Sequence, residues 1–245
     1  MINSIEIAWK ILLKKCITEG CEHTKDDRDK LIEIIDNHIF IPNVITSIMN
    51  AEVNTEVFIN LIKNGVFNIN DYPLSDEALA DYVTALDDKS QILNKNGDGS
   101  DKFVYTYPER LYNIHQVTRK DKIVYENQVD TIINRLKEYD GSNRAVATLY
   151  DCALDKNEQH IPCLNWLQCL IRDNELSLHI MFRSNDLYGA FPSNMLFLNY
   201  LGLKILENLK KEYPLLKFKG IYYNSTSLHI YEHDVKEVEK IINGE

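Results

Sequence analysis

The stretch "LSLHIMFRSNDLYGAFPSN", residues 176–194, joins a predicted strand to a predicted helix and decides how the rest of the chain is interpreted. Apolar side chains alternate with others through its first part, which indicates a strand that ends at Arg183. Pro192 and Ser193 then predict the start of a helix. Backbone N–H groups converge between such a strand and helix, where the helix dipole is positive, so this turn is a candidate anion site. Arg183 and Ser184 would add donors to it.

Helical spacing predominates before this stretch. The 245 residues, 44% of them hydrophobic, can form one large core, so we expect a single domain over residues 1–245. Residues 1–93 are predicted to be mostly helical, with a helix in "TEVFINLIKNG" that has Val57, Leu61 and Ile62 on one face and ends at Gly65. "NKNGDGSD", 94–101, predicts a loop, and "NQVDTIINRLKEYDG", 127–141, predicts another helix.

The pattern changes after Arg144 to β-branched, aromatic and alternating residues. It predicts four strands, over residues 145–151, 164–173, 176–184 and 220–231, interrupted by one long helix at about 194–212. Helices followed by strands in this order indicate an α+β fold.

Composition excludes several classes of function. With 37 acidic and 27 basic residues the net charge is −10, so we expect no nucleic-acid partner. No apolar run approaches the roughly 18 residues that span a bilayer, and no leader pattern is present, so we expect a cytoplasmic protein with no membrane partner. Five cysteines, an odd number, argue against a disulfide framework. No metal is expected, because Cys16, Cys21 and His23 lack a fourth ligand nearby.

Two further stretches carry polar or reactive side chains at strand positions. "HIPCLNWLQ" places Cys163 directly after a proline, at a strand start, where it is either a small buried hydrophobe or a presented nucleophile. In "STSLHIY" the period of two sends Ser227, His229 and Tyr231 to one face. That face is either solvated or lies against a polar ligand.

Taken in order, five blocks resemble the signature blocks of thymidylate synthases and the related pyrimidine nucleotide hydroxymethylases. They are "YTYPERL", "SNRAVATLY", "IPCLNWLQ", "RSNDLYGAFPSN" and "SLHIY", and the likeness covers about residues 103–234, closest to the short archaeal-type members. The nineteen-residue step from Arg144 to Cys163 and the eleven-residue step from Arg183 to Asn194 also fit the family pattern. The resemblance implies an α+β fold with a mixed sheet flanked by helices, and a homodimer assembled through a sheet face.

The resemblance also implies catalytic roles. Cys163 falls on the nucleophile that adds to C6 of the pyrimidine, and Tyr105 falls where a tyrosine assists proton removal from C5. Asp186 falls beside the base and the folate. Glu56 is our choice for the catalytic glutamate, and Glu77 in "SDEALADY" is its rival.

The remaining implied roles concern nucleotide binding. Arg183, Ser184 and Arg144 fall on phosphate-binding positions, and Arg144 is expected to reach the site of the partner subunit. Asn194 matches the side chain that reads the base edge, and His229 and Tyr231 match those that hold the sugar hydroxyl. An N-terminal phosphate contact could come from Arg28 or Lys25.

The resemblance implies one-carbon transfer from 5,10-methylenetetrahydrofolate to a pyrimidine nucleoside monophosphate, with dUMP to dTMP favoured. The Asn194 amide can accept from uracil N3–H and donate to O4, whereas cytosine-specific hydroxymethylases carry an aspartate there. The chain departs from the pattern at Asn143, where typical synthases have a second arginine, and at Leu164, where they have a histidine. Trp9 and Trp166 are its two tryptophans.

Two alternatives stay open at this point. The sequence ends fourteen residues after Tyr231, without the tail that in typical synthases closes over the folate. Poor exclusion of water would favour a hydroxymethyl product, so the first alternative is a hydroxymethyltransferase acting on dUMP or UMP, or on dCMP or CMP. The second is a degenerate homologue that binds nucleotide without turnover.

Overall fold

A computed structural model describes residues 4–26, 29–43, 54–66, 72–94, 100, 104–117 and 123–244. None of the helices in these ranges is long and apolar enough to cross a membrane. The helices are α1 (Ser4–Glu19), α2 (Thr55–Lys63), α3 (Asp76–Thr84), α4 (Lys89–Leu93), α5 (Tyr107–Tyr112), α6 (Gln128–Glu138), α7 (Cys152–Asp155), α8 (Phe191–Leu209) and α9 (Val235–Asn243). The strands are β1 (Cys21–Thr24), β2 (Lys30–Pro42), β3 (Ile114–Val117), β4 (Ile123–Glu126), β5 (Val146–Thr148), β6 (Leu164–Arg172), β7 (Glu175–Asp186) and β8 (Lys217–Tyr231).

Six of these strands form one mixed sheet in the order β1-β2-β8-β7-β6-β5, and β3 and β4 form a separate pair. Neighbours in the large sheet are antiparallel, except that β7 and β8 run parallel. Helices α1 and α8 pack against this sheet. The predicted fold class, α+β with a mixed sheet flanked by helices, is therefore confirmed.

Helix α8 is the crossover between the two parallel strands. Leu178, Ile180 and Phe182 of β7 are fully buried, as their alternation predicts. The helix begins at Phe191, three residues before the predicted start at 194, with Pro192 in its first turn, where a missing N–H costs no intrahelical bond. The indole Nε1 of Trp9 donates to the Leu187 carbonyl at 2.7 Å, which fixes the turn between β7 and α8.

The predicted strands after residue 144 are confirmed as β5 to β8, and the helix in residues 127–141 is confirmed as α6. The prediction of a mostly helical part over residues 1–93 missed β1 and β2. The buried residues of β2 include Leu31, Ile34, Asn37 and Ile41, at spacings of three and four. Asp36 interrupts the strand with a φ of 57°. The buried residues of this strand therefore have the spacing of a helix, and periodicity alone predicts a helix where the structure has a strand.

The predicted helix in residues 55–65 is confirmed as α2. It buries Phe58 and Ile62, whereas Val57 is 39% exposed, so the face formed by Val57, Leu61 and Ile62 is only partly buried. The helix ends at Lys63, and Gly65 follows with a φ of 67°, a conformation that favours glycine. The loop predicted over 94–101 lies outside the described residues, apart from residues 94 and 100.

Away from the helices, the large sheet has an open face with an aromatic row. Phe40 pairs with Tyr222, and Tyr222 pairs with His179 on the next strand. The ring centroids of Phe40 and Tyr222 are 4.7 Å apart, and those of His179 and Tyr222 are 4.5 Å apart. Phe40 is 37% exposed, so apolar surface on this face faces solvent in the single chain.

A buried ion pair holds the short helix α5. Arg110 Nη2 lies 2.7 Å from Asp155 Oδ1, with side chains 3% and 1% exposed. The Asp155 carboxylate also accepts from the Asp151 backbone N–H at 2.7 Å. Gln128 of α6 donates to the Arg110 carbonyl at 2.7 Å and to the Thr148 carbonyl at 2.8 Å. These bonds tie α5 to α6, α7 and β5.

We expect Asp155→Ala to lower the free energy of unfolding by about 3–5 kcal/mol, because it leaves the Arg110 guanidinium buried without its counter-ion. Urea unfolding at neutral pH measures the loss. Glu237→Ala is the matched control, since Glu237 and Lys240 form an exposed pair on α9 with side chains 54% and 55% exposed. Such a pair contributes about 0.3–0.5 kcal/mol. Equal losses in the two variants would contradict the structural role of the buried pair.

Candidate active site

One cavity of about 790 Å³ opens where the ends of β7 and β8 meet the start of α8. Its volume lies within the range of roughly 300–1,000 Å³ that small-molecule sites occupy. The segments before α5 and β6 and the helix α3 complete its wall. The functional side chains of this lining are Lys25, Tyr82, Tyr105, Tyr107, Cys163, Arg183, Ser184, Asp186, Asn194, His229 and Tyr231.

Cys163 lies directly before β6, and Arg183 of β7 holds it in place. The Arg183 backbone N–H donates to the Cys163 carbonyl at 2.8 Å, and Nη2 lies 3.6 Å from the sulfur. The same guanidinium donates to the carbonyls of Ile161 at 2.8 Å and Pro162 at 3.1 Å. A guanidinium in this position supplies both a positive charge and a donor to a thiolate.

The core thiols Cys16 and Cys169 differ from Cys163 in burial. Both are fully buried in the core, and burial raises the pKa of each thiol to about 12. Because their pKa is raised, these thiols stay protonated and unreactive at neutral pH. Cys163 is only partly buried and faces the cavity.

Two phenols stand beside the Cys163 sulfur. Burial, together with the neighbouring Cys163, raises the pKa of Tyr105 to about 12, and the positive charge of Arg183 opposes this shift. Burial also raises the pKa of Tyr107 well above its ordinary value. The Tyr107 hydroxyl accepts from the Leu164 N–H at 3.4 Å, which fixes its ring against the start of β6. Both phenols therefore carry their protons at neutral pH.

Asp186 ends β7 and shapes the turn that leads into α8. Its Oδ1 accepts from the backbone N–H groups of Tyr188 at 3.1 Å and Gly189 at 3.0 Å. Burial raises the pKa of its carboxyl, although the Gly189 hydrogen bond lowers it in part. The carboxyl thus lies in the cavity wall with an increased tendency to hold a proton.

The end of β8 supplies a polar group on the other side of the cavity. Ser184 Oγ lies 3.4 Å from His229 Nδ1, and the His229 and Tyr231 rings meet edge to face at 5.1 Å. Lys25 donates to the Tyr231 hydroxyl at 2.8 Å. Arg183 and Lys25 therefore each bring a positive charge to the cavity wall, which suits an anion.

Asn194 lies in the first turn of α8 and is 4% exposed. Its Oδ1 accepts from the Tyr82 hydroxyl at 2.6 Å, and its Nδ2 donates to Asn185 Oδ1 at 3.2 Å. These two bonds leave one N–H and one oxygen lone pair of the amide for a ligand.

The structure brings eight of the ten predicted site residues to the cavity, namely Tyr105, Cys163, Arg183, Ser184, Asp186, Asn194, His229 and Tyr231. It does not bring Glu56 or Arg144 there. Glu56 is exposed on α2, and Arg144 is exposed just before β5. The rival Glu77 is exposed on α3, Lys25 lines the cavity, and Arg28 lies outside the described residues. A catalytic role for Glu56 stays a prediction.

Sequence reasoning missed Tyr82 and Tyr107. Tyr82 lies three residues after the buried Leu79, on the same side of α3. The sequence signal for it was a polar aromatic residue beside the apolar face of a helix. Tyr107 stands two residues after Tyr105 in the block "YTYPERL". Neither signal identifies a site without the tertiary contacts.

The arrangement combines a nucleophile, proton-bearing groups, positive charges and an amide with free hydrogen-bonding capacity. The thiol can add to an electrophilic carbon, while Arg183 and Lys25 attract an anionic group nearby. The phenols of Tyr105 and Tyr107 can donate hydrogen bonds to a ligand or to water. The cavity can therefore hold a small anionic molecule, and the Cys163 thiol can attack that molecule covalently.

A family model described as thymidylate synthase matches residues 12–245, which include every residue of the cavity. A protein of Methanothermobacter thermautotrophicus named "Putative thymidylate synthase" is 29% identical over 244 residues, covering 98% of this chain and 96% of that protein. A protein of the same name from Methanocaldococcus jannaschii is 31% identical over 176 residues, covering 69% and 70% of the two chains. The chain belongs to the thymidylate synthase family.

Proposed function

We propose that this protein transfers a one-carbon unit from 5,10-methylenetetrahydrofolate to C5 of a pyrimidine nucleoside monophosphate and converts dUMP to dTMP. The observation that carries this proposal is the contact of 3.6 Å between the Cys163 sulfur and Arg183 Nη2 inside the cavity. It joins a nucleophile to a group that can hold a phosphate.

Cys163 acts as the nucleophile in this proposal. Its thiolate adds to C6 of the pyrimidine, which makes C5 electron-rich and able to form a new carbon–carbon bond. After that bond forms, a proton leaves C5 for a water molecule that hydrogen bonds the Tyr105 phenol, and the Cys163 thiolate finally leaves C6 to restore the ring and free the enzyme. The raised pKa of Tyr105 supports hydrogen bonding through an intact phenol rather than a phenolate.

Neighbouring side chains bind the phosphate and the sugar of the nucleotide. Arg183 and Ser184 bind the phosphate, with Lys25 as the N-terminal cation, and His229 and Tyr231 bind the sugar hydroxyl. Two contacts join these subsites and support the assignment: Ser184 lies against His229, and Lys25 donates to Tyr231. Phosphate and sugar binding therefore share one continuous polar wall.

Asn194 reads the base. Its spare lone pair accepts from uracil N3–H, and its spare N–H donates to O4. The Asn194 amide is only 4% exposed, which supports strong discrimination between uracil and cytosine, because a mismatched base edge leaves buried polar groups unpaired.

The folate binds in the same cavity as the nucleotide. The carboxyl of Asp186 in the cavity wall can accept hydrogen bonds from its ring system, or donate one when protonated. When bound, methylenetetrahydrofolate would supply the one-carbon unit and the hydride that makes it a methyl group. The free thiols of the chain fit the reducing conditions of the cytoplasm, where we place the reaction.

The active form is a homodimer in which Arg144 reaches the partner's phosphate. Two features support this: Arg144 is exposed and outside the cavity of its own chain, and the open sheet face carries the partly exposed aromatic row of Phe40, His179 and Tyr222. Asn143, next to Arg144, is bonded to Gln168 and Arg172 of the neighbouring strand, so this segment borders the sheet.

We expect dUMP and methylenetetrahydrofolate to yield dTMP, which is measured as the mass of the nucleotide product. A hydroxymethyl nucleotide would show that the protein is a hydroxymethyltransferase, and the absence of any product would favour a nucleotide-binding protein without turnover.

Cys163→Ser should lower turnover by more than about 10³-fold, since removal of the nucleophile from other enzymes lowers turnover by up to about 10⁶-fold. Cys152→Ser is the matched control, because Cys152 is exposed on α7 and outside the cavity. Comparable losses in both variants would contradict the role of Cys163.

We also expect dUMP to protect Cys163 from alkylation. Iodoacetamide should label Cys163 together with the exposed Cys21 and Cys152, while the buried Cys16 and Cys169 stay unlabelled because their pKa is raised to about 12. Peptide mass spectrometry with increasing dUMP should show slower labelling at Cys163 alone. Unchanged labelling at saturating dUMP would mean that the nucleotide lies elsewhere.

Mixing inactive Cys163→Ser and Arg144→Ala chains should restore activity to about a quarter of the parent's, because half of randomly exchanged dimers have one site with both residues intact. The measurement is turnover after subunit exchange, with each variant exchanged against itself as control. If native mass spectrometry finds heterodimers and turnover stays at background, Arg144 does not act across the interface.

A further inference from the structure

The hairpin of β1 and β2 brings a lysine to the end of β8. The Lys25 backbone N–H, directly after β1, donates to the Asp29 carbonyl, directly before β2, at 2.9 Å. On the other side of β2, Leu31 pairs with Tyr231, the last residue of β8. Lys25 and Tyr231 therefore lie side by side in the cavity wall, although 206 positions separate them in the sequence.

Several contacts fix the side chain of Tyr231. Lys25 Nζ donates to its hydroxyl at 2.8 Å and lies 5.0 Å from its ring centroid, where the ring attracts a cation. The His229 ring meets the Tyr231 ring edge to face at 5.1 Å, and the His233 ring stacks on it at 5.5 Å. The phenol is therefore held on several sides, and its hydroxyl has a defined place in the wall of the cavity.

The lysine determines in which direction the hydrogen bond to Tyr231 runs. An ammonium group has three N–H donors and no acceptor, so the Tyr231 oxygen must accept from it. The phenol keeps its own proton, and within the described residues the Tyr231 hydroxyl makes no second hydrogen bond. The hydroxyl is therefore left as a donor. It is also a stronger donor than a phenol in water, because successive hydrogen bonds polarise one another.

We propose that Lys25 is a positioning residue that holds the Tyr231 hydroxyl as a donor to the sugar oxygen of the nucleotide. This inference rests on the proposed function. The sugar of dUMP has one free hydroxyl, on C3′, and its oxygen accepts from Tyr231. The other N–H groups of the same ammonium serve the phosphate. Lys25 therefore contributes to sugar recognition through Tyr231 and to phosphate recognition directly.

The two contributions of Lys25 are separable by changing the ligand. A lysine that serves only the phosphate strengthens binding of every uracil nucleoside monophosphate by the same factor, whether or not the sugar has a hydroxyl. A lysine that also holds Tyr231 as a donor strengthens binding of a nucleotide with the C3′ hydroxyl more than that of one without it. The ratio of the two dissociation constants isolates the second contribution, because the phosphate contribution cancels.

The test measures dissociation constants of dUMP and of 2′,3′-dideoxyuridine monophosphate by calorimetry in the parent and in Lys25→Met. We expect the parent to bind dUMP about tenfold more tightly than the dideoxy nucleotide. In Lys25→Met this ratio should fall to about threefold or less, because the phenol loses the cation that orients and polarises its hydroxyl. Lys25→Arg keeps a charged donor and should retain the parent's ratio.

Lys30→Met is the matched control for the loss of a positive charge from this hairpin. Lys30 is an exposed lysine of β2 that pairs with the exposed Glu232 at 3.7 Å and does not line the cavity. Such a pair contributes little to stability. We expect Lys30→Met to leave both dissociation constants unchanged.

Tyr231→Phe gives a second approach, because it removes the hydroxyl through which Lys25 acts and keeps the ring. The ratio should fall in this variant, and Lys25→Met should lower it no further in the Tyr231→Phe background. The parent's ratio in Lys25→Met or in Tyr231→Phe would overturn the inference while leaving the proposed function intact, as would a parent that binds the two nucleotides equally well. A parent that binds neither nucleotide would overturn both.

Discussion

The parallel pairing of β7 with β8 is the constraint on which the candidate active site depends. Ser184 pairs with Ser227, and Asp186 pairs with His229. Parallel neighbours cannot be joined by a tight turn, so the chain must cross over between them, and α8 is that crossover. The first turn of α8 therefore starts beside the end of β7, within hydrogen-bonding distance of Asn185.

Burial of polar groups at this point has a cost that the fold offsets with hydrogen bonds. Apolar side chains in place of Asn185, Ser225 or His229 would avoid the desolvation of amide, hydroxyl and imidazole groups. Local choices that conflict with a simple apolar core are typical of functional sites. Burial likewise raises the pKa of Tyr105, Tyr107 and Asp186, which favours the protonated form of each group relative to a solvated surface.

The sequence predicted those parts of the fold in which local pattern and tertiary environment agree. From Leu176 to Phe182 one strand face is buried, so alternation and burial coincide. In β2 they do not, because burial falls on residues spaced three and four apart. The bond between Tyr82 and Asn194 joins residues 112 positions apart, so no local pattern could reveal it. The pattern of strand, turn and helix indicated Arg183 as a donor to an anion, whereas the choice of Cys163 as a nucleophile depended on the order of five blocks.

Arg183 links ligand binding to the position of the nucleophile. Its guanidinium holds the carbonyls of Ile161 and Pro162, which form the segment that leads into Cys163, and it also lies beside the sulfur. A phosphate bound at this guanidinium would draw on the same set of donors. Under the proposed function, phosphate binding and thiol placement are therefore coupled through one guanidinium, and we expect a molecule that lacks the phosphate to lose both affinity and the alignment of the attacking sulfur. In a chain with a net charge of −10, the Arg183 guanidinium places a positive charge beside the Cys163 sulfur, where it can attract an anion locally.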